Sequence, residues 1–466
     1  MSRRDGDKLL DYGTCPQNQG KVSQTVKTVS TISQAQSNDT VILLTYYYDY
    51  ELHSHRLFKS YIKDWLGAYL PFTLYLYEPL VKIFSRVVVY DYLERILQVG
   101  VKAVNQEIID LTRRERPKYV IWTSWLYDIQ ESTLETIRKD GTIVIGWFFD
   151  DEWRFDDYSK FWIPYLDYCV TSDMDAIPKY GELGGRAIYT VPNTGVAIDR
   201  DQKDLDERYG VSFVGSRFYG DREQWMDELR KRNIEVELFG EGWTGYIPFE
   251  KMIDIFKSSK INLNFSGTPA HHRLQIKGRM FQVCMAGGFL LTEYVPGIER
   301  YFEPDKEIVC FDSVEDLTDK IAYYLEHEKE RQAITEAGWK RAINAYTSSR
   351  MVSKVFAEIE QDLKDGGRQQ KEPAPGPSVE VELRRKFSGH YLRWGKVFLK
   401  ENYRGLWRDA LSLSLSYRRF NATAQGYRIA GLFPSMVRPT LLGLCHVYEK
   451  LSFRPFAWLR RTVLKI

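Results

Sequence analysis

The sequence predicts an α/β protein with two Rossmann-like lobes, each built on a parallel sheet, followed by a C-terminal helical tail. Short apolar runs rich in β-branched and aromatic residues alternate with helix-length segments, the alternation restarts near residue 196, and it stops near residue 365. The 466 residues are 44% apolar and 27% charged, which is a globular composition. A chain of this length accommodates about three structural units.

The first lobe is predicted over residues 39–195, after a polar segment over residues 1–38 that we expect to be disordered. Its strands are predicted at TVILLTYY, SRVVVYDY, KYVIWTS, TIVIGWFF, DYCVTS and AIYTV. Helix-length segments, among them Tyr92–Arg114 and Ser132–Lys139, separate most of them. This alternation is typical of βαβ units, in which helices cover both faces of a parallel sheet.

The second lobe is predicted over residues 196–365, with strands at VSFVGS, IEVELFG, KINLNFS, GFLLTEY and EIVCFDS. Its helices are predicted at Arg222–Arg232, Pro248–Ser258, Ile276–Ala286, 313–328, 330–345 and 348–364. Two lobes of similar size imply a cleft between them. Because ligands of open parallel sheets bind beyond the carboxyl ends of the strands, we expect both lobes to share one ligand.

The tail is predicted over residues 381–466, after a linker over 366–380 that is rich in Gly, Pro and charge. The tail is basic, with a net charge of +13 against −11 for the rest of the chain. Its arginines alternate with aromatic residues, among them Trp394, Trp407, Phe456 and Trp458. This pattern favours contact with a membrane surface, whereas a helical domain packed on the acidic body is the alternative. The two-lobed body gives no reason to expect nucleic-acid binding.

The five cysteines are an odd number, widely spaced and without a CxxC pair, so neither a zinc site nor a disulfide framework is indicated. The N-terminus has basic residues without a following apolar core, and no stretch of 18 uninterrupted apolar residues exists. We therefore expect a cytoplasmic protein, whose tail contacts the inner face of the cell membrane as a peripheral attachment.

The first site signal follows the first strand of the second lobe. In VSFVGSRFYGDREQW the strand ends at Gly215 and a helix begins near Asp221, with Arg217 and Arg222 beside them. Backbone amides at a helix start, a small residue and arginines are groups that bind phosphate. The alternative is an ordinary tight turn with solvated arginines.

A second basic segment, HHRLQIKGRMFQVCMAGGFLLTEY, passes from a loop into a helix. Its basic residues crowd the loop and the first helical turn; they are His271, His272, Lys277 and Arg279. A positive cluster at a strand-end crevice neutralises a departing diphosphate. The alternative is a solvated helix face with capping histidines.

The order of these motifs resembles the C-terminal half of the CgeB-like glycosyltransferases, which are GT-B enzymes related to the large retaining glycosyltransferase family 4. FVGSRFYGDREQW, LFGEGW, KINLNFS and QIKGRMFQVCMAGGFLLTEYVPGIERYFEPDKEIVCFDSVEDL carry the similarity over roughly residues 205–350. A weaker similarity extends through VIGWFFDDEWRFDDYSKF to about residue 40. The resemblance implies a GT-B fold, a nucleoside-diphosphate sugar bound by the second lobe, no cofactor and retention at the anomeric carbon.

The resemblance also implies roles for particular residues. Arg217, Lys277 and Arg279 would face the diphosphate, and Arg217 and Lys277 would take part in catalysis. Other donor contacts would come from Gly287, Gly288, Thr292, Glu293 and Glu299. Gln282 stands where the family usually has a glutamate that binds the ribose hydroxyls.

The acceptor is expected on the first lobe. Asp150 follows a buried strand and points toward the cleft, where a carboxylate orients or deprotonates an acceptor hydroxyl. Asp151 lies beside it, and His53 and His55 follow the first strand. The alternatives are aspartates that cap helices and solvated histidines.

No metal ion is expected in the site. Asp173-Met174-Asp175 resembles the metal-binding DxD triplet of the GT-A fold, but it follows a strand and precedes a helix, so capping explains it. Charge stabilisation by basic side chains would replace the cation.

The sequence thus predicts a glycosyltransferase that moves a sugar from a nucleotide sugar to a hydroxyl of a glycan or lipid-linked acceptor, in the assembly of a surface or extracellular polysaccharide. Two alternatives remain open. A nucleotide-sugar epimerase would keep the diphosphate site, and a catalytically inactive GT-B-like scaffold would be consistent with Gln282.

Overall fold

A computed structural model describes residues 37–45, 73–123, 126–192, 195, 207–245, 247–268, 273–367, 377–400 and 405–417. Two parallel sheets form the two lobes that the sequence predicts. The polar segment ahead of residue 37, His53, His55, His271, His272, Phe456 and Trp458 lie outside the described residues.

The first sheet has six parallel strands in the order β2-β1-β3-β4-β5-β6. Its strands are β1 Ser37–Thr45, β2 Phe84–Asp91, β3 Tyr119–Thr123, β4 Ile143–Trp147, β5 Tyr168–Thr171 and β6 Ala187–Tyr189. The helices of this lobe are α1 Glu78–Ile83, α2 Tyr92–Val99, α3 Val101–Glu115, α4 Glu131–Lys139, α5 Asp151–Arg154 and α6 Ala176–Glu182. β3, β4 and β5 are buried along their whole length, as expected of central parallel strands covered on both faces.

One predicted helix of the first lobe is two helices in the structure. The segment Tyr92–Arg114 divides at Gly100, which has a φ of 87°. Such a backbone conformation interrupts a right-handed helix and is accessible mainly to glycine. The single helix predicted here was therefore wrong at one residue, which turns the chain between α2 and α3.

The second sheet has five parallel strands in the order β11-β10-β9-β7-β8. They are β7 Tyr209–Val214, β8 Glu237–Phe239, β9 Ser259–Asn264, β10 Leu290–Glu293 and β11 Val309–Phe311. The helices of this lobe are α7 Arg222–Lys231, α8 Phe249–Lys257, α9 Gly278–Met285, α10 Val314–Glu326 and α11 Glu328–Ala345. The chain runs from β7 to β8 on one side and continues with β9 on the other, so the strand order reverses between β7 and β9.

The last helix that the sequence assigns to the second lobe packs on the first lobe. This helix, α12 (Ser348–Lys364), places the ring of Phe356 4.8 Å from that of Phe84 in the first-lobe core. Its Glu360 accepts hydrogen bonds from Lys118 Nζ at 2.7 Å and from Tyr119 Oη at 2.5 Å. The chain therefore crosses between the lobes a second time just before α12.

The C-terminal helices also belong to the first lobe. They are α13 Pro377–Lys400 and α14 Leu406–Tyr417, so the first of them begins inside the segment predicted as a linker over 366–380. Trp394 and Trp407 are buried in the first-lobe core rather than presented to a membrane surface. Trp394 Nε1 donates to Asp128 Oδ1 at 2.9 Å, and His390 Nε2 lies 2.7 Å from the same oxygen. For these two helices, the alternative of a helical domain packed on the body is the one observed.

Candidate active site

The segments that follow β7 and β9 meet the segment that follows β4 across the cleft between the lobes. Gln275, in the connection from β9 to α9, donates from Nε2 to Asp150 Oδ1 at 2.6 Å, and Asp150 follows β4. The second sheet reverses its strand order at this same place, and such a reversal opens a crevice for ligands beyond the carboxyl ends of the strands.

Glycines allow the chain to pack tightly where β7 ends. Gly215 donates its N–H to Phe239 O at 2.9 Å. A Cβ on Gly240, whose φ is 115°, would lie only 2.5 Å from Gly215 O. The LFGEGW segment therefore lies directly against the turn after β7. Ser216 in that turn is buried, and its Oγ donates to Glu241 Oε2 at 3.1 Å.

Arg222, at the start of α7, is a buried cation with no carboxylate partner among the described residues. Its Nη1 donates to Ser216 O at 2.7 Å, whereas its buried Nε contacts no hydrogen-bond acceptor in the described part of the chain. Burial, and secondarily the neighbouring Arg279, lower the pKa of Arg222 to about 10. A buried donor and an uncompensated positive charge are suited to an anionic ligand.

Lys277 precedes α9 and is the second cation of the site. Its Nζ donates to Gln275 Oε1 at 2.7 Å and lies 5.6 Å from the ring centre of Tyr219. Arg222 lies 5.3 Å from the centre of the same ring, so Tyr219 is contacted by both cations. Burial lowers the pKa of Lys277 to about 8, although Asp150 favours its charged form. An added negative charge would therefore stabilise the ammonium.

Arg279 and Gln282 lie one turn apart on α9 and reach the first lobe. Arg279 Nη1 donates to Gln282 Oε1 at 2.9 Å and also contacts Met252 Sδ. Gln282 Nε2 donates to Tyr75 Oη, on the first lobe, at 2.7 Å. Burial lowers the pKa of Arg279 to about 10. The Gln282 amide thus joins a cation of the second lobe to a tyrosine of the first lobe.

The first lobe contributes two carboxylates to the cleft. Asp150 has a left-handed φ of 65°, which turns the chain from β4 into α5. Gln275 Nε2 contacts Asp150 at 2.6 Å and Glu152 Oε2 at 3.1 Å. Burial raises the pKa of Glu152 well above its ordinary value, and repulsion from Asp150 and Asp173 adds to this effect. Glu152 therefore holds a proton more tightly than an ordinary glutamate.

Asp151 is not on the acceptor side, where the sequence predicted it. Its side chain is fully buried inside the first lobe. It accepts hydrogen bonds from Ser159 Oγ at 2.5 Å, Thr171 Oγ1 at 2.6 Å and Tyr180 Oη at 2.8 Å. Because α5 begins here, consecutive side chains point in different directions, and Asp151 points into the core.

Three predicted donor contacts lie away from the cleft. Gly287 and Gly288 precede β10 and so stand at the amino end of the strand, opposite the site. Thr292 is buried within the sheet, where its Oγ1 accepts from Asn264 Nδ2 at 2.9 Å. The predicted lining was wrong for Gly287 and Gly288 because α9 starts at the cleft and runs away from it, and wrong for Thr292 because its side chain is enclosed within the sheet.

The remaining predicted donor contacts lie on the second lobe in different settings. Glu293 ends β10, and its Oε2 accepts from Ser266 N–H at 2.6 Å, close to the cleft. Arg217 is half-buried, pairs with Glu223 and lies 5.2 Å from the ring of Trp243. Glu299 is exposed and accepts from Tyr294 Oη at 2.8 Å. Of the three, only Glu293 lies beside the buried cations.

The Asp173-Met174-Asp175 triplet makes local contacts. Asp173 Oδ1 accepts from Asp175 N–H at 2.9 Å, and Asp175 lies 3.7 Å from Arg300 of the second lobe. Within the described ranges, no group of three or more His, Cys, Asp or Glu side chains has the arrangement of a metal site.

Sequence analysis missed four residues of the cleft: Tyr75, Glu152, Tyr219 and Gln275. Glu152 stands next to Asp151 in VIGWFFDDEWRFDDYSKF, and Tyr219 stands between Gly215 and Arg222 in VSFVGSRFYGDREQW. Gln275 lies two residues before Lys277. A glutamine beside a cation at a strand-end loop was an available signal, whereas the role of Tyr75 depends on lobe packing that no local pattern indicates.

Three comparisons relate the chain to known proteins. Residues 222–357 match a family model described as glycosyl transferase-like. The spore protein CgeB of Bacillus subtilis (strain 168) is 22% identical over 267 residues, which cover 51% of this chain and 78% of CgeB.

The chain is also similar to solved structures. Anabaena Alr3699/HepE is 8% identical, with a TM-score of 0.46 over 70% of this chain and 100% of that one. S. aureus TarM is 11% identical, with a TM-score of 0.41 over 55% of this chain. The alignment spans only 58% of TarM. The chain thus has two parallel-sheet lobes, a segment over residues 222–357 that matches a glycosyl transferase-like family model, and similarity to CgeB.

Proposed function

We propose that the protein transfers a sugar from a nucleoside-diphosphate sugar to a hydroxyl acceptor, with the diphosphate bound by Arg222, Lys277 and Arg279. The observation that carries this proposal is the gathering of three cations at the carboxyl ends of the second sheet. None has a carboxylate partner among the described residues, and burial disfavours the charge of each. An anionic ligand would relieve this cost.

Each side of the cleft has a part in the reaction. The bond from the anomeric carbon to the diphosphate breaks, and its electron pair leaves with the diphosphate, whose charge the cations stabilise. The acceptor oxygen forms the new bond to the same carbon, on the face from which the diphosphate departs, and its proton passes to the carboxylate of Asp150. Asp150 is suited to this role because it lies in the cleft and is linked to Lys277 through Gln275.

The finer features of the reaction are part of the same proposal. The buried cations supply the charge stabilisation that a divalent metal supplies in other transferases, so we propose a metal-independent reaction. Retention at the anomeric carbon and a role in polysaccharide or glycoconjugate assembly follow from the family resemblance. The acceptor is then a glycan or a lipid-linked sugar.

A nucleotide-binding experiment tests the proposal. The purified protein is heated with UDP-, GDP-, ADP- and CMP-linked sugars, with and without EDTA. At a hundred times its dissociation constant, a bound nucleotide stabilises the folded protein by about 2.7 kcal/mol. We expect one nucleotide class to raise the melting temperature, EDTA to have no effect, and K277M to abolish the shift.

Lys340 provides the matched control, because it is an exposed lysine on α11 that pairs with Glu336 at 2.6 Å. K340M should keep the nucleotide shift of the wild-type protein. If no nucleotide stabilises the wild-type protein, or if K340M and K277M behave alike, the proposed donor site is wrong.

A binding module without turnover is the second candidate function. It is favoured by Gln282, whose amide contacts both Arg279 and Tyr75, because the family resemblance implies that a glutamate at this position would bind the ribose. For an enzyme with a weakened ribose contact, Q282E should raise the turnover of the nucleotide sugar. For a binding module, Q282E should leave turnover absent.

Contact with a membrane surface is a separate part of the proposal. Among the described residues, no helix has the length and hydropathy needed to cross a bilayer. The aromatic residues of α13 and α14 face inward, whereas Arg384, Arg393 and Arg408 are exposed. Any contact by these helices would therefore be electrostatic. Sedimentation with vesicles containing anionic lipid should capture the protein at low salt and release it at high salt, and equal capture by neutral vesicles would contradict this.

A further inference from the structure

Gln275 occupies the centre of the cleft and makes contacts toward both lobes. It is 4% exposed, and its backbone N–H donates to Ser266 O at 3.0 Å. An isolated antiparallel bridge between Gly267 and Leu274 closes the same loop. The backbone that carries Gln275 is therefore held against the end of β9, and the position of its side chain is well defined.

Charged side chains form hydrogen bonds with both the oxygen and the nitrogen of the Gln275 amide. Its oxygen accepts from Lys277 Nζ at 2.7 Å. Its nitrogen donates to Asp150 Oδ1 at 2.6 Å and to Glu152 Oε2 at 3.1 Å. A flipped amide would place Nε2 against an ammonium and the oxygen against two carboxylates, so these neighbours determine the orientation of the amide.

The amide lies between groups of opposite charge. Lys277 is the donor-side cation, and Asp150 and Glu152 are the acceptor-side carboxylates. A neutral spacer with one acceptor and two donors satisfies both sides without forming an ion pair. The ammonium therefore stays available to a diphosphate, and the carboxylates stay available to an acceptor.

We propose that Gln275 is a positioning residue whose amide oxygen supports the Lys277 ammonium and whose amide nitrogen fixes the carboxylates of Asp150 and Glu152. This proposal rests on the proposed function for its biological meaning, since it assigns Lys277 to the donor and Asp150 to the acceptor. It concerns the chain's own contacts, however, and its test requires no nucleotide.

The charged and titratable groups around Lys277 come from both lobes. Asp150 and Glu152 face it from the first lobe, and Tyr219, Arg222 and Glu293 face it from the second. Gln275 is the only described hydrogen-bond partner of its ammonium. Replacing Gln275 by an apolar residue of similar size removes that partner and leaves the surrounding charges in place.

Amine labelling at different pH values measures how far the hydrogen bond from Gln275 stabilises the charged form of Lys277. An acylating reagent reacts with the neutral amine, so the pH of half-maximal labelling of the Lys277 peptide, read by mass spectrometry, reports its pKa. In Q275M this pH should fall by roughly half a unit to one unit, because a hydrogen bond to the charged form is lost. In Q275E it should rise, because a carboxylate then contacts the ammonium.

Asp175 provides the matched control, because its pairing with Arg300 at 3.7 Å also joins the lobes but lies apart from Gln275. D175N should label like the wild type, and Lys340 in each sample should label at one constant pH. An unchanged or raised labelling pH in Q275M would overturn the proposal. Because labelling is measured without nucleotide, this result is independent of whether any nucleotide binds, so failure of the donor site and failure of the Gln275 proposal are distinguishable.

Discussion

Three consecutive acidic residues after β4 have three different environments. Asp150 faces the cleft from a left-handed backbone position, Asp151 is enclosed in the core, and Glu152 returns to the cleft. Along the turn from β4 into α5, the direction of each side chain differs from that of the preceding one by about a third of a turn. Neighbours in sequence therefore lie in different environments, two of them in the cleft and one in the core.

Asp151 should make stability depend on pH in a characteristic direction. Burial raises the pKa of Asp151 from 3.8 to about 6 in the folded state. Its stabilising contribution is therefore complete below about pH 4 and is lost as the pH rises through about 6. The free energy of unfolding of the wild type, minus that of D151N, should fall by about 2–3 kcal/mol across this range.

Urea unfolding at several pH values measures this difference. D151N should also bind nucleotide like the wild type at temperatures where it is folded, because Asp151 lies outside the cleft. A difference that grows with pH would contradict the buried position assigned to Asp151.

Lys277 should make nucleotide affinity depend on pH in the alkaline range. Burial lowers the pKa of Lys277 to about 8, and only its charged form attracts a diphosphate. The affinity should therefore fall as the pH rises through about 8. Isothermal titration of the wild type and K277R between pH 6.5 and about 9.5 checks this, since arginine stays charged. A parallel fall in both proteins would show that another group causes it.

At the scale of the element, Gly338 allows α11 to pack closely against the segment before β11. A Cβ on Gly338 would lie 2.1 Å from Glu307 O, so the helix packs backbone to backbone against the segment before β11. Gly338→Ala should destabilise the protein by about 1–3 kcal/mol, because the clash outweighs the higher helix propensity of alanine.

The matched control for this prediction is Gly389 on α13, which is exposed and has nothing within 4 Å of an added Cβ. Gly389→Ala should stabilise the protein by up to about 1 kcal/mol. Thermal or urea unfolding compares the two variants. If both substitutions stabilise the protein, the close packing of α11 is wrong.

Strand positions were predictable because apolar runs are a local signal, and all 11 observed strands fall within or beside predicted runs. The partners of the helices were less predictable. α12, α13 and α14 have apolar faces that the sequence shows, but nothing local identifies the first lobe as the surface they cover.

The same limit applies to the site. Basic residues at strand ends were evident, whereas the contacts of Tyr75 and Gln275 depend on how the lobes meet.

At the scale of the whole molecule, nucleotide binding to the second lobe should change amide hydrogen exchange in the first lobe. Arg273 contacts the backbone oxygen of Glu152, and Gln275 contacts its carboxyl group, so the loop before α9 joins the lobes. A nucleotide bound at Lys277 should therefore change hydrogen exchange at amides 152–155 as well as in the second lobe. Exchange followed by mass spectrometry in the wild type and K277M measures this. Changes confined to the second lobe would contradict the coupling.

The two chain crossings between the lobes lie side by side, and this limits how the molecule can move. Ser348 donates its N–H to Gly195 O at 2.9 Å, so the returning segment is hydrogen-bonded to the outgoing one. A pair of adjacent, parallel connections defines a single axis. We expect a swing about that axis to open or close the cleft, because sliding or twisting of one lobe past the other would strain both connections at once. Such a swing would return the groups on the two sides of the cleft to the same alignment each time the cleft closes.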